Sequence, residues 1–242
     1  NSLYEVHPSY ITVVDWAGIP VVSGTNLNPI PEGKGPGQSC VKSVENFRVA
    51  IEDHVAAYTL TKGQNIDNCV IFMSTHNTGG SNMIREYRAM GWFEKPHIAL
   101  FKCWGMAAQT VCDVSVVEFW PDQVKVQQRI YYTHGETTSN FSIEEVSSLD
   151  KTFLLTSTFD PAWLQYPAPT FVRASLTSTT NVELYKNQSG YEIECSLFIV
   201  EDLQANFFVE HFTSDFGGSA GANRTNDTFW PQDTTFISVT YA

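Results

Sequence analysis

The sequence predicts an antiparallel β-sandwich, and three observations carry that prediction. The stretch YEIECSLFIVEDLQANFFVEHF, Tyr191 to Phe212, alternates at first: Tyr191, Ile193, Cys195, Leu197 and Ile199 share one face, Glu192, Glu194 and Ser196 the other. A period of two is the signature of a half-buried strand. QVKVQQRIYY repeats the pattern, with Val124, Val126 and Ile130 set against Lys125, Gln127 and Arg129. Helical spacing, by contrast, is confined to a few short segments, so the chain reads as about eight core strands with two or three short helices.

Residues 1–38 are predicted to form an N-terminal extended arm. ITVVDW can pair as a strand, but NLNPIPEGKGPGQ is crowded with Pro and Gly and resists regular structure. The main domain is expected over 39–213. Ser39 can cap a helix in which Val41, Val44, Phe47, Ile51 and Val55 recur at three- and four-residue spacing, ending near Ala57. CVIFMST from Cys69 reads as a strand. Ser81 can open a second short helix, NMIREYRAM, closed by Gly91. IALFKCW after Pro96, VCDVSVVEFW up to Pro121-Asp122, and QVKVQQRIYY follow as strands. Ser142-Ile143-Glu144-Glu145 fits a capping box that starts one or two helical turns, to Leu149. KTFLLTSTF is a strand, WLQYPAPTF an irregular aromatic link, and FVRASLTSTTNVELY one or two strands. Glu201-Asp202 interrupts the late apolar run and reads as a solvated turn. Residues 214–242 form a C-terminal arm, rich in Gly, Asn, Thr and Asp, that ends in the pairing segment FISVTYA.

Charge narrows the partners. The net charge is -12 with 14 Lys and Arg. An acidic surface repels phosphate, so little direct nucleic-acid binding is expected, and neither end carries a basic arm. No apolar run is long enough to span a membrane as a helix. The five cysteines, Cys40, Cys69, Cys103, Cys112 and Cys195, are odd in number and lack C-x-x-C spacing. They read as reduced, buried thiols rather than a disulfide or zinc framework.

The motifs that could carry chemistry are weak. Gly217-Gly218-Ser219-Ala220-Gly221 matches G-x-S-x-G, but NRTNDTFWPQ after it is no helix, which a nucleophile elbow requires. His7, His54, His76, His97, His134 and His211 show no metal-ligand spacing. Gly33-Lys34-Gly35-Pro36-Gly37 lacks the spacing of a dinucleotide loop. Four N-glycosylation sequons, at Asn140, Asn187, Asn223 and Asn226, are a number that a chain this rich in Asn, Ser and Thr gives largely by chance. No catalytic residue, cofactor site or metal ligand is therefore assigned.

The order of these elements resembles the capsid proteins of picorna-like viruses, the order that includes dicistroviruses, iflaviruses and secoviruses. Those subunits often carry a Pro/Gly-rich arm ending in G-[EQ]; here Pro36-Gly37-Gln38 precedes SVENFRVAI. Their aromatic strand F-x-F-W-R-G is matched by Phe101-Lys102-Cys103-Trp104-Gly105-Met106, without the arginine. Their V-P-Y stretch has an echo in Gln165-Tyr166-Pro167. Their final strand opening, D-D-F-S-F-F, corresponds to the run from Glu201-Asp202-Leu203 to Phe207-Phe208. The resemblance spans residues 36–213 and lies mostly in the collinear order. In some relatives Asp-Asp-Phe assists precursor cleavage; this chain has Glu-Asp-Leu, so that role is not carried over.

The resemblance implies an eight-stranded jelly roll with extended terminal arms. It implies a structural role, not an enzymatic one: one of several related subunits of an icosahedral shell around an RNA genome. The implied partners are sister capsid proteins, copies of the chain itself and a host receptor, in the virion and, during assembly, the host cytoplasm. The first residues, Asn1-Ser2, fit either release from a polyprotein or a shortened sequence. The arms are expected to order only in an assembly, with ITVVDW and FISVTYA adding to the sheet edges of neighbours. A secreted carbohydrate-binding β-sandwich, with its sequons used, is the main rival; a sandwich hydrolase using Ser219 or paired carboxylates is the second.

Overall fold

The computed structural model describes residues 8–16, 40–51, 54–77, 88–95, 98–103, 110–159, 172–186, 189–204, 207–215 and 235–240. Among these the fold is all-β and antiparallel. In chain order the strands are β1 (Pro8–Trp16), β2 (Val41–Ile51), β3 (Val55–Thr59), β4 (Cys69–Asn77), β5 (Ala89–Lys95), β6 (Ile98–Cys103), β7 (Thr110–Phe119) and β8 (Val124–His134). They continue as β9 (Thr138–Ser142), β10 (Thr152–Phe159), β11 (Val172–Ser178), β12 (Asn181–Lys186), β13 (Glu192–Asp202), β14 (Phe207–Asp215) and β15 (Thr235–Thr240). They form five three-stranded sheets: β14-β1-β15, β10-β13-β8, β11-β12-β9, β2-β7-β4 and β3-β6-β5.

The sheet β10-β13-β8 is a central layer buried on both sides. Phe153, Leu155, Phe198 and Val200 point into a core shared with β2, β4, β5, β6 and β7. Leu154, Ile193, Cys195, Leu197 and Ile199 point into a second core with Val172, Ala174, Leu176, Val182 and Leu184 of β11 and β12. Alternate residues of one strand thus feed two cores, which is why LFIV, Leu197 to Val200, is apolar without a break. Each such side chain contributes about 1.5–3 kcal/mol by leaving water. The predicted inward set holds at five positions: Val124, Ile193, Leu197 and Ile199 are fully buried, and Val126 packs against the first core. Ile130 is the exception, at 39% exposure.

Several sequence expectations give way. The helix expected over Ser39–Ala57 is instead β2 and β3. From Glu45 onward β2 alternates, with Glu45, Val49 and Ile51 buried and Asn46, Arg48 and Ala50 exposed. Of the helix expected from Ser81 to Met90, residues 81–87 lie outside the described residues, and its end, Ala89 and Met90, belongs to strand β5. A Cβ on Gly91 would lie 3.1 Å from the Phe101 ring and 3.3 Å from Met73 Sδ, so close packing rather than a helix end explains this glycine. The capping box does not start a helix at Ser142. Ile143 N donates to Thr180 O and Val146 N to Thr179 O, so tertiary partners take the amides. The only helical turn near it is the short one at Leu149–Lys151, capped by Ser148. Glu201 and Asp202 are not a turn: they end β13 and are buried, and the chain turns at Leu203-Gln204. The described strands number fifteen, against the expected eight.

The terminal segments pair within the chain. β1 lies between β14 and β15, with Val14 opposite Val209 on one side and Phe236 on the other. ITVVDW and the FISVT of the last segment therefore complete a sheet of their own chain, where pairing with neighbouring chains was expected.

Candidate functional sites

Two buried carboxylates close one corner of the first core. Glu45 of β2 and Glu118 of β7 are 4% and 3% exposed. Their strands are adjacent, Glu45 facing Val116 and Glu118 facing Ser43. Both grip the 60–65 loop that leads from β3 to β4. Glu45 Oε1 accepts from Tyr58 Oη at 3.2 Å and from Thr61 Oγ1 at 2.9 Å, and Oε2 accepts from Lys62 N at 3.2 Å. Thr61 N donates to both oxygens at 3.1 Å. Glu118 accepts from Lys42 Nζ at 2.7 Å, Ser43 Oγ at 2.9 Å and Asn65 N at 3.1 Å. Burial pushes the Glu45 carboxyl up, but the donors of Thr61, Lys62 and Tyr58 together pull it further down, leaving it below its ordinary 4.5. Gly63, at φ +63°, supplies the left-handed residue this tight loop needs.

Adjacent glutamines on β8 tie the central layer to both neighbours. Gln128 pairs with the peptide of Phe93 on β5, accepting from its N at 2.7 Å and donating to its O at 2.9 Å. Gln127 does the same to Glu144, with both bonds at 2.9 Å. Because successive residues point to opposite faces, the pair staples the two sides of one sheet. The Ser157 hydroxyl accepts from Gly91 N, so two side chains close the β5 edge. At the far end of the second core, Lys186 is 1% exposed. Its Nζ donates to Thr133 Oγ1 at 3.2 Å and to Tyr191 O. Burial lowers its pKa, against the opposing pull of Glu136 and Glu192. None of these groups was singled out from sequence; a polar residue at an inward register of a strand was the one signal available.

On the outer face of β2-β7-β4, Asp113 sits between Arg48 Nε at 2.7 Å and His76 Nδ1 at 3.6 Å. The Arg48 hydrogen bond holds the Asp113 carboxyl below its usual range. Beside it runs an open groove of about 920 Å³, lined by Phe72, Ser74, Asp113, Ser115, Ser157 and Phe198 among others. Among the described residues His76 contacts Asp113, and the Ser115 hydroxyl donates to Asn46 Oδ1 at 2.7 Å rather than to the imidazole. Among the described residues, no three His, Cys, Asp or Glu side chains converge as a metal site, and no helix is long and apolar enough to cross a membrane. All five cysteines are free and buried, as expected.

Of the residues weighed from sequence, Gly217–Gly221, Gly33–Gly37, His7, His97, Gln165–Pro167, Trp104–Met106 and three of the sequons, Asn187, Asn223 and Asn226, lie outside the described residues. His54 has φ +61° and its carbonyl accepts from Cys103 N at 2.9 Å, a structural position at the entry to β3. A scan against protein-family models and searches of curated proteins and of solved structures found nothing that matches this chain.

Proposed function

We propose that this chain is a structural coat protein of a picorna-like virus, one of several related jelly-roll subunits of an icosahedral shell around an RNA genome. The observation that carries the reading is the collinear order of motifs over residues 36–213, set on an antiparallel all-β fold. Phe101–Cys103 fall in β6, and Glu201-Asp202 end β13 just before Phe207-Phe208 open β14. Strand neighbours that are distant in sequence, β2-β7-β4 and β10-β13-β8, are the kind of crossover that Greek-key winding produces. The role is cohesive rather than catalytic, and its partners are sister coat proteins and copies of the chain, with a host receptor outside. A net charge of -12 makes shell cohesion mainly apolar and backbone-mediated. The test is co-expression with the neighbouring coat proteins, followed by mass and symmetry measurement of what co-purifies. Icosahedral particles containing this chain are the expected result. A chain that joins no particle with those partners overturns the reading.

One observation favours the rival, a secreted carbohydrate-binding sandwich. Asn140 and Ser142, the ends of the one described sequon, are both exposed on β9. A mobility shift on glycosidase treatment of the secreted chain would support that alternative.

A further inference from the structure

We infer that the outer edge of β8 is the surface through which two copies of this chain pair. β8 is an eleven-residue strand at the edge of the central sheet, hydrogen-bonded to β13 alone among the described strands. Gln123 O accepts from Leu203 N at 2.8 Å, just before the strand begins. Antiparallel ladders alternate, so odd-numbered residues bond β13, and the peptides of Val126, Gln128, Ile130 and Tyr132 point away from it. Val124 N, which turns back to Trp120 O, obeys the same parity. Among the described residues, the one hydrogen bond to this outward row is taken by Gln128 O, which accepts from Arg129 Nη1. Two other edges carry side-chain contacts: β5 from Gln128 and Ser157, and β2 from Lys62 Nζ on Val44 O. Among the described residues the turn at Ile66–Asn68 lies near β8 but no second strand pairs with it, and a long edge without a second strand is a pairing template.

The same strand exposes apolar surface. Ile130 and Tyr132 are 39% and 51% exposed and share one face. The occupant that fits is a second copy, for two reasons. The first is register. A two-fold axis at Ile130 sets that residue opposite its own counterpart, Gln128 opposite the counterpart of Tyr132, and Arg129 across from the counterpart of Tyr131. The outward peptides then meet one another, no like charges are opposed, and the Arg-Tyr contact is a cation–π pair. The second reason is charge. Two copies of a chain of net charge -12 repel, yet β8 carries Lys125 and Arg129 and no carboxylate. Glu144 is shared between those two cations at 3.3 Å each. Pairing along this edge therefore brings no carboxylate of one β8 against a carboxylate of the other. The pairing joins two central layers into one six-stranded sheet.

This inference goes beyond the coat-protein reading and does not depend on it: particle formation tests that reading, copy-to-copy pairing tests this one. The full chain is examined by sedimentation at about 100 μM, a concentration at which micromolar association is saturated. An Ile130→Cys variant is treated with a short bis-maleimide, and Val55→Cys, 47% exposed on β3, is the control. The native thiols are all buried. Expected are a dimer or a multiple of it, cross-linking at 130 but not at 55, and at least about tenfold weaker association in Ile130→Lys/Tyr132→Lys. A wild-type chain that stays monomeric, or equal cross-linking at both positions, overturns the inference. The cross-link readout stands even if the double lysine variant fails to fold.

Discussion

Glu45→Gln tests whether buried carboxylates organise this fold. In the native chain Glu45 takes five hydrogen bonds on two oxygens. A glutamine placed in the same rotamer keeps one oxygen at Oε1 and with it the bonds from Tyr58 and Thr61. Its NH₂ then faces Lys62 N, donor against donor. The two charge-assisted bonds to Oε2, from Thr61 N and Lys62 N, are lost, and the Lys62 amide is left unpaired, which costs about 2–3 kcal/mol near neutral pH. The pH dependence separates this cause from simple packing loss. The Glu45 carboxyl lies below 4.5 in the folded chain. Its stabilisation is therefore full above the unfolded value and is lost as pH falls through the folded one. Glutamine does not titrate there, so the gap between wild type and variant should narrow between about pH 7 and about pH 3. Exposed carboxylates such as Asp113 and Glu144 contribute equally to both proteins and cancel. Urea unfolding followed by tryptophan fluorescence, at several pH values, reads the difference. A variant within about 0.5 kcal/mol of wild type at neutral pH, or a gap that widens on acidification, would refute the reasoning.

Four further outcomes are expected. Gly91→Ala forces a methyl 3.1 Å from the Phe101 ring, and it should destabilise by about 1–3 kcal/mol in the same unfolding assay. Gln128→Ala strips both partners from the Phe93 peptide, so the Phe93 amide should exchange faster with deuterium and stability should fall by about 1–3 kcal/mol. Iodoacetamide near pH 8 should leave the folded chain's thiols largely unlabelled, since burial pushes Cys112 and Cys195 up to about 12; denaturation without reductant should label all five free cysteines. Amide exchange on the isolated chain should protect the ladder of β1 with β14 and β15, and unprotected ends would return these segments to inter-chain pairing.

β4, β8, β10 and β13 and the hairpin of β11 and β12 fall where the sequence was read as strand, β8 and the first half of β13 from their alternation. The reading failed where a strand carries a carboxylate into the core. In β2 the inward row is Glu45, Phe47, Val49 and Ile51; with Glu45 counted as polar, the apolar residues left over fit a helical spacing as well as a strand. At the end of β13, Glu201 and Asp202 look like a turn because such residues seldom enter a core unpaired. Here Ser147 N, from a distant loop, donates to Glu201 Oε1, and Gln204 N, in the bend that follows, donates to Asp202 Oδ1. The partners lie on loops whose course no periodicity reveals. Ile130 failed for the opposite reason: its alternation is intact, but it lies beyond the cover that Gln128 and β5 give to its face.

The same residues explain why the polar architecture was harder to read than the fold. A hydrophobic core is announced by a repeating pattern, because every member must leave water. A buried carboxylate or glutamine needs only its own donors, and it can draw them from any part of the chain. Glu45, Glu118, Gln127 and Gln128 each recruit backbone amides that would otherwise be unpaired in loops or at a sheet edge. Three of them hold loops: Glu45 takes Thr61 and Lys62, Glu118 takes Asn65, and Gln127 takes Glu144. Gln128 alone reaches a sheet edge, that of β5 at Phe93. The residues that hide the fold from its sequence are thus the ones that fix its loops and the β5 edge in place.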